Sequence, residues 1–147
     1  MTSYEKRTWW SRHGMTDRLK GDTFLEAAIT SAFLIAAADG QASEEEYDAL
    51  LDRLEILGGV DRDAIDDKLT AATHKLEASG FEPLIARVAE LLSGDRQAAD
   101  ATMMLSLAVA LADDDVSMQE REIATQLAAG LGIDAIDLDA LLAEIRG

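Results

Sequence analysis

The sequence has no cysteine. Without a thiol there is no disulfide, no thiolate metal site and no thiol redox chemistry. Proline occurs once, as Pro83, and glycine 10 times, so long regular elements meet few breakers. Long apolar runs are missing as well. The most apolar stretches, residues 27–38 and 101–112, fall short of the ~20 residues that cross a bilayer. The N-terminus lacks the apolar core of a secretory signal. Positive charge is scarce: 13 Lys and Arg face 29 Asp and Glu, a net charge of -16. Such a surface repels phosphate backbones and attracts cations and basic protein surfaces. Nucleic acid is therefore excluded as an expected partner, and a cytoplasmic location is expected.

The charge is uneven. Residues 1–22 hold Lys6, Arg7, Arg12, Arg18 and Lys20 against Glu5, Asp17 and Asp22, a balance of +2, which leaves -18 on the rest. This segment also carries Trp9 and Trp10, the only two tryptophans. Basic and aromatic residues together suit an anionic membrane interface, so peripheral contact at the inner face of the membrane is one reading of residues 1–22. A self-packed or frayed terminus is the other. Either way the segment is expected to be appended to a single domain spanning 23–147.

With 147 residues and 48% hydrophobic content, the chain can bury a core without staples. Alanine and leucine dominate, and both favour helix. The spacing predicts a first helix from Thr23, opened by a capping box with Glu26 and closed at Asp39-Gly40. Its apolar residues cover nearly every face, the mark of a buried central helix. A second helix follows Ser43, again with capping-box spacing to Glu46; Tyr47, Leu50, Leu51, Leu54 and Leu57 form its stripe and Gly58-Gly59 its end. Asp61 is expected to cap a third, and Pro83 fits the first turn of a fourth, where a missing N–H costs nothing. Asp95 caps a fifth, Ser117 with Glu120 opens a sixth, and Asp134 caps a seventh. No segment alternates with period two. The expected fold is all-α, a compact bundle of about seven helices.

Self-similarity is the strongest signal. Ala38-Asp39-Gly40-Gln41-Ala42-Ser43-Glu44-Glu45-Glu46 overlies Ala112-Asp113-Asp114-Asp115-Val116-Ser117-Met118-Gln119-Glu120 at an offset of 113 − 39 = 74 residues. The same offset carries Leu57-Gly58 onto Leu131-Gly132. Residues 24–58 and 98–132 thus read as two helical hairpins, pseudo-symmetric halves joined by linking helices, each with an acidic turn between its two helices.

Two readings of the turns are open. Carboxylates at the C-terminal end of a helix meet an already negative dipole unless a cation is present. Asp39 and Glu46 in one turn, and Asp113, Asp114 and Glu120 in the other, offer hard oxygen ligands suited to calcium or magnesium. Alternatively, Glu46 and Glu120 complete capping boxes and the aspartates form local turns bonded to backbone N–H groups. The turns are not EF-hand loops, whose sixth and twelfth positions need glycine and glutamate; counted from Asp113 those places hold Met118 and Ala124, and from Asp39 they hold Glu44 and Leu50. Zinc is disfavoured because His13 and His74 are isolated. No nucleophile pairing and no phosphate loop suggests an enzyme.

The doubled Ala-Asp-Gly-x-x-Ser-x-x-Glu turn, set between two helices in each half, resembles the TerB family of tellurite-resistance proteins over roughly residues 24–145. The resemblance implies a compact bundle of about seven helices with acidic turn residues as proposed metal ligands. Carried over by position these are Asp39, Glu46, Asp113 and Glu120. It also implies a role in resistance to tellurite and other stresses, beside membrane and calcium-binding partners of a stress complex. This sequence departs from the motif at Asp114, where the family has glycine; the aspartate either alters the turn's geometry or adds a ligand. The chain's length suits a stand-alone protein of the family. The expected function is a non-catalytic stress-response module that binds divalent metal at the two turns and acts by sensing or scaffolding. A metal-independent acidic scaffold for a basic partner is the alternative.

Overall fold

A computed structural model describes residues 14–38, 44–110 and 117–146. Inside its helices the side chains at 44–46, 49, 53, 57, 58, 109, 110, 135, 136, 145 and 146, among them Glu46, lie outside the described set. The described residues form eight helices and no strand: α1 Met15–Arg18, α2 Asp22–Ala36, α3 Glu44–Gly58, α4 Arg62–Ser79, α5 Phe81–Leu91, α6 Arg96–Ala110, α7 Met118–Gly130 and α8 Ala135–Arg146. The all-α bundle follows the sequence. The additional helix is α1, within the segment read as appended. Its Met15, with the neighbouring Leu19, is buried in the common core.

Helix α2 is buried without a break from residue 27 to 35, and α6 from 101 to 107. These two helices make the most extensive contact in the described structure. Small residues are buried on both: Ala27, Ala28 and Ala32 on α2, Ala98, Ala99 and Ala101 on α6. On the same helices Ile29, Phe33, Leu34, Met103, Met104 and Leu105 are nearly inaccessible. Each such side chain contributes about 1.5–3 kcal/mol on burial. Helix α2 also touches α3, α4, α5 and α7, while α6 touches α3, α7 and α8. Each central helix therefore packs on the amphipathic helices of both halves. Among the described residues, Ser31 Oγ and Thr102 Oγ1 are buried without a hydrogen-bond partner, and nothing in the structure offsets this.

Most helix starts follow the sequence. Asp61 accepts from the Ala64 N–H at 3.4 Å, Asp95 from Ala98 at 3.0 Å and Asp134 from Asp137 at 2.8 Å. Pro83 lies in the first turn of α5. Two expectations are corrected. Helix α2 starts at Asp22 behind Gly21, with no side-chain cap. The Thr23–Glu26 box is not made, because Thr23 lies inside the helix and not at its N-cap; Glu26 reaches across to α5 and accepts from Arg87 Nε at 3.1 Å. Helix α2 also ends at Ala36, before Asp39-Gly40; the N–H of Ala37 bonds the Phe33 carbonyl and that of Ala38 the Ile35 carbonyl, a tightening of the last turn.

The hairpin ends differ between the halves. Helix α7 closes in a Schellman motif: Ile133 N–H donates to the Ala128 carbonyl at 2.8 Å and Gly132 N–H to Ala129 at 3.1 Å. Gly132 takes φ 79°, a left-handed conformation that suits glycine. In the first half the left-handed residue is Gly59, φ 63°, one position past the place that the 74-residue offset assigns. Among the described residues no helix is long and apolar enough to cross a membrane.

Candidate metal-binding turns

The first acidic turn leaves α2 from a rigid base, since Phe33, Leu34, Ile35 and Ala37 are all buried. Asp39 lies outside the described residues, as do Asp113 and Asp114 of the second turn. Glu46 is the third residue of α3, its side chain outside the described set, and Glu120 is the third of α7. Of the five predicted ligands, only the Glu120 side chain can be placed.

Glu120 belongs to a complete capping box. Its Oε1 accepts from the Ser117 N–H at 3.0 Å, and Ser117 Oγ accepts from the Glu120 N–H at 3.0 Å. The box satisfies backbone donors, and the carboxylate favours the positive end of the helix dipole. A carboxylate has about four acceptor positions, so one bond leaves Glu120 able to offer an oxygen to a hard cation. Its position is nonetheless fully explained without one. Among the described residues no group of three or more His, Cys, Asp or Glu is placed to hold a metal.

Between the helices the structure reveals polar clasps that the sequence reading passed over. Tyr47, read only as part of an apolar stripe, directs its hydroxyl to Asp66 Oδ1 at 2.7 Å and lies 3.2 Å from Thr70 Oγ1, joining α3 to α4. Burial of the ring raises the hydroxyl's pKa, with Asp66 adding to the rise and Thr70 opposing it. Arg62 donates to Asp52 at 2.7 Å and lies 3.8 Å from Glu55, a second tie between α3 and α4. Arg96 makes three bonds: to Asp100 at 3.0 Å, to the Gly132 carbonyl at 3.1 Å and to Asp137 at 2.8 Å. Helix α6 is thereby tied to the α7–α8 turn and to α8. Hydrogen bonds to carboxylates raise the pKa of both arginines. Arg121 and Asp139 approach only to 3.7 Å, and both are exposed. The (i, i+4) spacing of Arg96 and Asp100 was the one readable sign of these ties.

Two buried helices, each running into an acidic turn and out through an amphipathic helix, define this molecule as an all-helical acidic bundle. The sequence model of the family described as tellurite resistance protein TerB matches residues 23–143. The chain belongs to the TerB family of tellurite-resistance proteins. No curated protein and no solved structure matches it.

Proposed function

We propose that the protein is a non-catalytic stress-response module that binds a divalent cation, calcium or magnesium, at its two acidic turns, and that it acts by sensing or scaffolding. One observation supports this above the others. Helices α2 and α6 start 96 − 22 = 74 residues apart. Asp39 and Asp113, like Glu46 and Glu120, keep the same 74-residue offset in the sequence. Burial of α2 and α6 does not require acidic residues there. A cation drawn to both turns is a reason for them, and a pseudo-two-fold relation between the halves belongs to the same proposal.

Thermal melts of chelator-treated protein, with calcium, magnesium, zinc or manganese added back, test the reading beside the Asp39→Asn/Asp113→Asn double variant. A cation bound only to the folded state adds about 2.7 kcal/mol at a hundredfold excess over Kd. A saturable rise with one ion, absent in the double variant, is expected. A small rise shared by all ions and by the variant is charge screening, and ends the metal reading.

The second reading is a metal-independent scaffold whose acidic surface holds a basic partner in a tellurite-resistance or stress complex. It is favoured by the capping box, which accounts for Glu120 without a cation. Partner binding would then weaken with salt and ignore chelators.

A further inference from the structure

In both halves the residue directly after the motif glutamate reaches across to the next helix. After Glu46 it is Tyr47, whose hydroxyl meets Asp66 and Thr70 on α4. After Glu120 it is Arg121, which meets Asp139 on α8. The two contacts differ in kind. The Tyr47 ring is half-buried and packs against the core, and its hydroxyl bond is 2.7 Å long. The Arg121–Asp139 pair spans 3.7 Å between side chains 71% and 68% exposed, where water and salt screen it. Other ties widen the difference. Arg62 holds α4 to α3 again through Asp52, whereas Arg96 ties α8 to α6 through Asp137.

We infer that Tyr47 is a positioning residue that makes α4 move with the first turn of α3, while Arg121 gives the first turn of α7 no comparable hold on α8. A displacement of the first turn of α3 carries the Tyr47 ring with it, and the hydroxyl bonds pass that displacement to residues 66–70. On α7 the equivalent displacement is absorbed by a solvent-screened pair. The starts of α3 and α7 thus pass on a displacement differently: Tyr47 carries the first to the α3–α4 face, and the Arg121 pair does not carry the second to α8. The cation-dependent part of this inference rests on the proposed reading of the turns.

Hydrogen–deuterium exchange on the full chain tests it, with Tyr47→Phe, Asp66→Ala and Arg121→Ala beside wild type, first with chelator and then with excess calcium or magnesium ion. In chelator, Tyr47→Phe is expected to speed exchange about five-fold in the start of α3 and in residues 62–72 together. Asp66→Ala reaches the same bond from the other helix and gives the same pattern, and Arg121→Ala leaves α8 unchanged. With cation, wild type gains protection in both α3 and α4, and Tyr47→Phe in α3 alone. Unaltered exchange of α4 in both Tyr47→Phe and Asp66→Ala overturns the coupling. Loosening of α8 in Arg121→Ala overturns the asymmetry. If no segment of wild type responds to cation, the metal reading falls, and the chelator arm still decides whether Tyr47 couples the helices.

Discussion

The two halves of the molecule share the spacing of their buried central helices but not their polar ties. Residues 27–35 of α2 and 101–107 of α6 are buried in the same register, and α3 and α7 begin at equivalent places. Beyond that the halves part. The first is clasped sideways, α3 to α4, by Tyr47 and Arg62. The second is clasped from its central helix, α6 to α8, by Arg96. Apolar burial fixes where helices lie, because one shifted residue turns a buried face outward. Surface ties are cheaper to exchange, so two halves with one layout can carry different connections.

The largest test of the shared layer is in the core. Phe33 and its equivalent at the 74-residue offset, Leu107, are 2% and 3% exposed. Phe33→Ala is expected to cost about 3–5 kcal/mol and Leu107→Ala about 2–5 kcal/mol in chemical denaturation. A loss below about 1 kcal/mol at either would break the equivalence of the central helices. Next comes the cap of α7: Ser117→Ala removes an observed box and should cost about 1 kcal/mol, read in the same denaturation curves. Smaller still is Tyr47→Phe. Burial lifts the Tyr47 hydroxyl above its usual value, near 10, so the folded state holds the proton better than the unfolded chain. That stabilisation is whole below pH ~10 and is lost as pH rises through the raised value. Melting temperatures from pH 8 to 11 should fall more steeply for wild type than for Tyr47→Phe; parallel curves would remove the clasp. The smallest effect belongs to Arg121→Ala, whose melting temperature should match wild type at any salt concentration.

Much of this structure was legible in the sequence. Asp61, Asp95, Asp134 and Ser117 all cap where a short polar side chain precedes a helical stripe, because capping is local chemistry. Thr23 with Glu26 had the same spacing and failed, since the helix starts at Asp22 and takes Thr23 inside it; Glu26 bonds Arg87 on α5, and no local pattern reports a partner so distant in sequence. The end of α2 was placed at Asp39-Gly40 on the strength of glycine, but the helix stops at Ala36. Met15 and Leu19 were hidden for another reason: two apolar residues among charged ones give too short a stripe to read. The candidate ligands were visible as a repeated spacing, and spacing alone holds no distances. Only Glu120 among them has a described side chain, and it is seen as a cap. The reach of Tyr47 to Asp66 and of Arg96 to Asp137 went unread because those partners lie on other helices.

The contact between α2 and α6 also sets a clock. The stretch 27–35 finds its principal partner, 101–107, only 74 residues later in the chain. At about 5–20 residues per second, synthesis leaves the first stretch waiting roughly 4–15 s for the second. Helices α4 and α5 emerge within that interval and both pack on α2, so they give it partial cover. Their place in the chain, between the two halves, makes them the nascent protein's own guard against premature association as much as a connection in the finished bundle.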